Sequence, residues 1–284
     1  METNILVSAP SLELRNCSKD FGSTRALDEA SFTVLAGQMV GIIGPSGAGK
    51  STLLRMINRL ADPTSGAILF DGKDIGALRG RALRRWRARC AMVFQQFGLV
   101  KRSDVITNVL LGRLNHKPIW QSLPGIFTQA ERLRALETLA RFSVDRFALQ
   151  RADTLSGGQQ QRVAIAKALM QDPEIILADE PVASLDPKST GQVMEALRKI
   201  NREDGLIVLC NLHNVQLARD YCDRIIAMQE GRIVFDGPPA ELTPDRVRGI
   251  YGMDLDAEDD DDLPQQASAH RPSSHRDGAR AASA

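Results

Sequence analysis

One glycine-rich segment limits the possible folds of this chain more than any other feature. Residues 44–51 read GPSGAGKS and fit the pattern G-x-x-x-x-G-K-[ST]. An apolar run typical of a buried strand, residues 40–43, precedes the segment, and residues 52–57 follow it with helical spacing. A strand, a loop and a helix in this order are the context in which the pattern binds the phosphates of a nucleotide. The sequence therefore predicts an α/β fold that binds a nucleoside triphosphate, and the alternative is a glycine-rich turn before a helix.

The residue types of this segment suit phosphate chemistry. Glycines let backbone N–H groups turn inward around the β-phosphate, and the Lys50 cation reaches the β- and γ-phosphates. The Ser51 hydroxyl is placed to bind Mg2+. We expect the nucleotide to contact Gly44, Pro45, Ser46, Gly47, Ala48, Gly49, Lys50, Ser51 and Thr52.

A pair of carboxylates follows a second apolar run, at residues 175–178. In α/β sheets, ligands bind at the carboxyl ends of the strands, where Asp179 and Glu180 would lie. We expect Asp179 to hold Mg2+, directly or through water, and Glu180 to polarise the water that attacks the γ-phosphate. A strand end followed by a solvated acidic turn is the alternative, and the glycine-rich segment favours catalysis.

Residues 155–159, which read LSGGQ, add a specific motif. With the phosphate-binding segment upstream, the chain resembles the nucleotide-binding subunits of ABC transporters from about residue 12 to about residue 237. The resemblance implies a P-loop NTPase (RecA-like) core with antiparallel β strands and an inserted α-helical subdomain. It also implies that ATP is the nucleotide and Mg2+ the metal.

The resemblance assigns further roles by position in the chain. Phe21 matches the aromatic residue that stacks on adenine, and Gln95 matches the glutamine that senses Mg2+ and the attacking water. His213 matches the histidine that hydrogen-bonds the γ-phosphate, and residues 183–186 match the loop at the dimer seam. Each has a structural alternative: Phe21 as an apolar strand-end residue, Gln95 as a solvated loop residue, and His213 as a structural or solvent-facing histidine.

The LSGGQ segment indicates that one chain does not complete the site. Ser156, Gly157, Gly158 and Gln159 open a predicted helix, whose N–H groups and positive end form an anion site. Because the same chain already holds a phosphate at residues 44–51, the second anion site implies a second phosphate contact. In the family this contact is made to ATP held by the opposite subunit, so we expect a head-to-tail dimer around two ATP molecules. An ordinary serine cap with two flexible glycines is the alternative.

Composition agrees with a cytoplasmic enzyme. The 284 residues are 43% hydrophobic, enough for one large α/β domain or a domain with an inserted lobe. A net charge of +1 argues against nucleic acid as a partner, and no apolar stretch is long enough to cross a bilayer. The four cysteines lack C-x-x-C spacing, so buried free thiols are expected rather than a metal site or disulfides.

The motifs also suggest the domain organisation. We expect one ATP-binding domain over residues 11–253, with a helical subdomain at about 97–155 in which residues 129–140 form an amphipathic helix. Six arginines between residues 79 and 89 surround Trp86, and a solvated helix explains them better than a nucleic-acid site. The remainder, residues 254–284, is acidic and then of low complexity, which predicts a disordered tail.

Four segments resemble the phosphonate importer ATPases in particular: residues 112–115, 120–127, 155–166 and 177–187. Asn214 departs from the glutamine expected in that group. The resemblance implies a peripheral protein on the cytoplasmic face of the inner membrane that works with two permease subunits and, through them, a periplasmic solute-binding protein. A polar amino-acid importer is one alternative. A soluble ABC ATPase of DNA repair or translation is another, although those usually carry tandem cassettes or a long coiled-coil insertion.

The loop at residues 120–127, which contains Trp120 and Phe127, either receives the permease or packs inside the lobe.

Overall fold

A computed structural model describes residues 11–116 and 127–252. These residues form two β-sheets. The strands within them are β1 (Ser11–Phe21), β2 (Thr24–Leu35), β3 (Met39–Ile43), β4 (Ser65–Phe70), β5 (Lys73–Asp74), β6 (Cys90–Phe94), β7 (Ile175–Asp179), β8 (Ile207–Asn211), β9 (Arg224–Gln229) and β10 (Arg232–Gly237).

The two sheets differ in strand direction. One is antiparallel with the order β2-β1-β4-β5. The other has the order β10-β9-β3-β8-β7-β6, and its strands are parallel except for β10, which pairs with β9 in the antiparallel sense. Because β3, β8 and β7 are neighbours, their carboxyl ends meet at one edge of the sheet, where parallel sheets bind ligands.

Apolar clusters cover both faces of the parallel sheet. Met39 and Val40, which are adjacent in β3 and point to opposite faces of the sheet, belong to different clusters. The cluster that contains Val40 also holds buried residues of the antiparallel sheet, including Leu12 and Phe32. Strands buried on both faces read as continuous apolar runs, which explains the sequence of β3, β7 and β8.

Helices occupy several connections between strands, and one helix follows the last strand. Within the described residues they are α1 (Lys50–Ile57), α2 (Gly80–Arg89), α3 (Val105–Leu110), α4 (Gln129–Arg141), α5 (Gly157–Leu169), α6 (Pro187–Asp204), α7 (Val215–Tyr221) and α8 (Pro244–Tyr251). The connection between β6 and β7 contains α3, α4 and α5, which contact one another. The predicted fold class, a P-loop α/β core with antiparallel strands and inserted helices, is therefore confirmed.

The arginine-rich segment is a helix that is buried on one side. Trp86 in α2 is 2% exposed and donates from Nε1 to the Ile57 carbonyl at 2.9 Å. The arginines on its other side are largely exposed, and Arg89 pairs with Glu174. The prediction of a solvated helix that leads into β6 is confirmed, and so is that of buried free thiols at all four cysteines.

Two predictions concern residues that the structure does not describe. The tail at residues 254–284 and most of the loop at residues 120–127, with Trp120, lie outside the described residues. Phe127 is described, and its half-buried ring packs against the larger apolar cluster. Packing inside the lobe therefore accounts for Phe127, while the role of Trp120 stays a prediction. No helix in the described parts of the chain is long and apolar enough to cross a membrane.

Candidate functional site

The glycine-rich segment leaves β3 in a conformation that requires glycine. Gly44 and Gly49 have φ values of 139° and 96°, which L side chains rarely adopt. A Cβ atom at Gly44 would lie 2.0 Å from the Met228 carbonyl oxygen, and one at Gly49 would lie 2.3 Å from that of Ala26. The loop thus fits between β9 and β2 only because these positions lack side chains.

Helix α1 begins at this loop with unpaired backbone donors. Its N-cap residue, Gly49, supplies no capping side chain, and its first turn carries no acidic residue. The N–H groups of such a turn and the positive end of the helix dipole attract anions. The segment therefore presents an anion site at the carboxyl end of β3.

Lys50 lies at the inner side of the loop. It is 5% exposed, and its Nζ donates to the carbonyl oxygens of Gly44 at 2.7 Å and Pro45 at 2.9 Å. Burial lowers the pKa of Lys50, while the negative charges of Glu180 and Asp179 oppose that shift. A phosphate group would replace weak carbonyl acceptors with a charged one, to which hydrogen bonds are stronger.

Ser51, Asp179 and Asn211 form one hydrogen-bonded group, in which Asp179 and Asn211 are buried and Ser51 is half-buried. The Ser51 hydroxyl donates to Asp179 Oδ1 at 2.7 Å, and Asn211 Nδ2 donates to the same oxygen at 2.8 Å. Asn211 Nδ2 also donates to Ser51 Oγ at 3.1 Å. The group forms because β8 lies between β3 and β7, with Asn211 in register with Asp179. Ser51 and Asp179, the two predicted metal ligands on α1 and β7, are therefore brought together.

Glu180 and His213 meet beside this group. His213 Nε2 lies 2.7 Å from Glu180 Oε1, and both side chains are half-buried. Glu180 has a φ of 52°, an uncommon value for a residue with a side chain. Thus the predicted base and the predicted γ-phosphate contact lie side by side, although they are 33 positions apart in the sequence.

A cavity of about 290 Å³ joins these groups. Its lining consists of Ala26, Ser46, Gly47, Ala48, Gly49, Lys50, Ser51, Thr52, Glu180, Asn211 and His213. A larger cavity of about 580 Å³ lies between β10 and α8, and its lining includes none of the motif residues. We assign the site to the smaller cavity because the anion-binding loop, the carboxylates and the histidine converge there.

Phe21 and Gln95 do not line this cavity. Phe21 ends β1, is 54% exposed, and has Lys19 Nζ 4.9 Å from its ring centroid. Gln95 is exposed and follows Phe94, the β6 residue in register with Asp179. Gln95 therefore lies at the same edge of the sheet as Asp179. Their roles in adenine and metal binding stay predictions.

The LSGGQ residues lie at a different surface. Ser156 caps α5 by accepting from Gln159 N at 3.4 Å, and Gln159 Oε1 accepts from Ser156 N at 2.8 Å. Gly158 is packed closely, since a Cβ atom there would lie 2.5 Å from Ser189 Cβ. None of the four predicted residues lines the cavity formed by Lys50 and Glu180. The serine cap is therefore present. A phosphate bound at the start of α5 would have to belong to a nucleotide outside this chain's own cavity.

Two residues at the site escaped the sequence analysis. Asn211 is the only polar side chain of β8, and its position at the end of an apolar strand was a usable signal. Tyr251 Oη accepts from Gly44 N at 3.2 Å, across 207 residues of sequence. No local sequence pattern predicts that contact.

Among the described residues, no group of three or more His, Cys, Asp and Glu side chains could hold a metal ion. The pair Ser51 and Asp179 nevertheless suits Mg2+, which prefers oxygen ligands and takes one or two from the protein when phosphates supply others. Ser51 Oγ donates once and accepts once, so one lone pair remains for a cation.

Comparisons with known proteins agree with this site. A sequence profile described as ABC transporter matches residues 27–183. The chain is 59% identical over 252 residues to the phosphonates import ATP-binding protein PhnC of Rhodopseudomonas palustris (strain BisB5), across 89% of this chain and 92% of that protein.

Solved structures agree as well. The dimeric structure of MJ0796, a bacterial ABC transporter cassette, is 36% identical with a TM-score of 0.71, over 80% of this chain and 98% of that one. A post-hydrolysis dimer of the same cassette with ADP and Pi is also 36% identical, with a TM-score of 0.69 and the same coverage. The fold, the phosphate-binding loop and these similarities together show that the chain belongs to the ABC transporter family.

Proposed function

We propose that this chain is the ATP-hydrolysing subunit of an ABC importer that takes up phosphonate or a related phosphorus compound. The convergence of Lys50, Ser51, Asp179, Glu180 and His213 on one cavity supports the ATPase activity. The relative that is 59% identical is a phosphonates import ATP-binding protein, which supports the solute class.

The chemistry follows from the residues around the cavity. The N–H groups of the loop and Lys50 hold the β- and γ-phosphates, and Ser51 and Asp179 hold Mg2+, which neutralises phosphate charge when bound. Glu180 accepts a proton as a water oxygen bonds to the γ-phosphorus. The bond from that phosphorus to the bridging oxygen then breaks, and ADP and phosphate are released.

Other predicted residues complete the proposal. His213, 2.7 Å from Glu180, orients that carboxylate and contacts the γ-phosphate. Gln95 senses the metal and the water from the neighbouring strand end, and Phe21 stacks on adenine.

Two copies of the chain form the working unit. Ser156, Gly157, Gly158 and Gln159 contact the γ-phosphate held by the other copy, since they lie outside their own chain's cavity. The related cassette MJ0796 forms a dimer, which supports this arrangement. Residues 11–253 make up this ATP-binding domain, with the helical subdomain at about 97–155, and residues 254–284 are a separate tail.

The dimer binds two permease subunits at the cytoplasmic face of the inner membrane and receives solute through them from a periplasmic binding protein. The 59% identical relative is an import ATP-binding protein, which supports this placement. ATP-driven closure and reopening of the dimer would move the permeases.

The substitution Glu180→Gln tests both activity and solute. The amide is nearly isosteric but cannot accept the proton, so ATP binding should persist while hydrolysis falls by roughly 10²–10⁴-fold. Uptake of 2-aminoethylphosphonate by cells that depend on this importer should stop. We would measure ATP binding, phosphate release and uptake of the labelled phosphonate.

Glu174→Gln is the matched control, since Glu174 pairs with Arg89 outside the cavity. It should hydrolyse ATP and support uptake at wild-type levels. Normal hydrolysis by Glu180→Gln would remove Glu180 from the mechanism. ATPase activity in wild-type cells that take up no phosphonate would instead refute the solute class.

A further inference from the structure

The buried amide of Asn211 has no role in the motifs described above. The side chain is 0% exposed and stands at the end of β8, between Ile42 of β3 and Asp179 of β7 in the parallel registers. A buried amide costs free energy unless it is hydrogen-bonded, so an apolar residue would suit the strand better if packing alone mattered. The position therefore calls for a function that an apolar residue cannot perform.

The orientation of the amide follows from its neighbours. An ionised carboxylate only accepts hydrogen bonds, so the amide must turn Nδ2, not Oδ1, toward Asp179. Nδ2 has two hydrogens, and it donates one to Asp179 Oδ1 at 2.8 Å and one to Ser51 Oγ at 3.1 Å. One side chain thus fixes Ser51 and Asp179, two of the residues predicted at the metal.

The same bonds decide which oxygen atoms stay available. Asp179 Oδ1 accepts from Ser51 and from Asn211, which leaves the second carboxylate oxygen for a cation or a bound water. Arg55 Nη2 approaches that second oxygen at 3.9 Å, beyond hydrogen-bond distance. The Ser51 hydroxyl is left with one free lone pair.

Asn211 Oδ1 supplies a second observation. This atom is buried and has no hydrogen-bond partner, and Asn211 is one of the residues that line the cavity. Mg2+ usually keeps several waters when it is bound beside phosphates, and each of those waters needs acceptors. Asn211 therefore lines the cavity with an acceptor whose hydrogen-bonding capacity is unused.

We propose that Asn211 is a positioning residue for Mg2+: its amide nitrogen holds Ser51 and Asp179 in place, and its amide oxygen accepts from a water bound to the metal. This inference rests on the proposed function, since the metal accompanies ATP. Loss of residues that orient metal ligands typically lowers metal affinity by roughly 10–100-fold.

The test uses Asn211→Leu, which keeps the volume and removes the hydrogen bonds, and Asn211→Ala, which removes them without added bulk. We would titrate the full-length protein with a fluorescent ATP analogue in EDTA and at graded Mg2+, and follow Mn2+ as a spectroscopic probe in the presence of ATP. Binding in EDTA should stay within about twofold of wild type. The Mg2+ concentration that gives half of the maximal change in analogue binding should rise roughly 10–100-fold. The Mn2+ concentration that gives half of the maximal spectroscopic signal should rise by the same factor.

Asn201→Leu is the matched control. Asn201 is also a buried asparagine, 1% exposed, whose Nδ2 bonds to a carbonyl and whose Oδ1 lacks a partner, but it lies in α6 outside the cavity. It should lose thermal stability and keep the wild-type metal requirement. An unchanged metal requirement in whichever Asn211 variant folds would overturn the inference. A wild-type chain that binds no nucleotide even with Mg2+ would overturn the proposed function instead.

Discussion

At the scale of single residues, the phosphate-binding loop depends on a tyrosine near the far end of the described chain. Tyr251 Oη is the acceptor for the buried N–H of Gly44. Tyr251→Phe should leave that donor unpaired, which costs about 1–3 kcal/mol. For a domain of this size, the unfolding midpoint should fall by about 2–4 °C for each kcal/mol, as measured by thermal unfolding.

Tyr221→Phe provides the comparison, because Tyr221 is the chain's other tyrosine and is also half-buried. Its hydroxyl makes no hydrogen bond to any residue in 11–116 or 127–252. Equal midpoints for both variants would show that the Gly44 bond contributes nothing to stability.

Sequence motifs predicted the site residues that belong to short patterns along the chain. Lys50 and Ser51 follow from the loop pattern, and Asp179 follows from a strand end, and the structure brings all three together. Asn211 and Tyr251 could not be found this way, because their contacts arise from sheet register and helix docking rather than from neighbours in sequence. The periodicity of one sequence does not show which distant residues meet in the fold.

At the scale of elements, the contact between α5 and α6 explains a glycine in the LSGGQ motif. Gly158→Ala would place Cβ 2.5 Å from Ser189 Cβ, so one helix must shift. Overpacking of this kind typically costs about 1–3 kcal/mol. We expect a lower unfolding midpoint and lower ATPase activity, measured on the same preparation.

The double variant Gly158→Ala with Ser189→Gly separates packing from phosphate binding. Removing the Ser189 side chain leaves its Cα atom 3.4 Å from the new Cβ, an ordinary packing distance, so stability should return. Recovery of stability without recovery of ATPase activity would mean that Gly158 also serves the nucleotide. Ser189→Gly alone sets the baseline.

Short elements were harder to foresee than long ones. The helical spacing of residues 129–140 predicted α4, which begins at Gln129 with a Thr128 and Glu131 capping box. Helix α3 has the sequence VITNVL, rich in β-branched residues that favour strands. Its helical form comes from the Asp104 cap, which accepts from Thr107 N at 2.7 Å, and from packing against α5.

At the scale of the whole molecule, the proposed dimer makes a prediction about mixtures. Lys50→Ala damages the loop, and Ser156→Arg blocks contact with the partner's phosphate. Each variant alone has no intact site, but a mixed dimer has one. Random pairing should therefore restore roughly a quarter of wild-type sites, measured as single-turnover ATP hydrolysis.

A mixture of Lys50→Ala with Glu180→Gln controls for this effect. Both residues line the cavity of their own chain, so every dimer of that mixture has two damaged sites. Activity should stay low. Equal recovery in the two mixtures, or none in either, would argue against an LSGGQ segment that acts across the dimer.

The position of β3 in the sheet has a consequence for synthesis of the protein. Its sheet neighbours are β8 and β9, which begin at Ile207 and Arg224, so the ribosome makes the phosphate-binding loop long before the strands that support it. Until β8 has emerged, β3 is an apolar strand with two unpaired edges, and one edge stays unpaired until β9 follows; such edges are surfaces that chaperones protect. The nucleotide site is thus among the last parts of the domain to form, and a nascent chain cannot begin ATP turnover before its fold is complete.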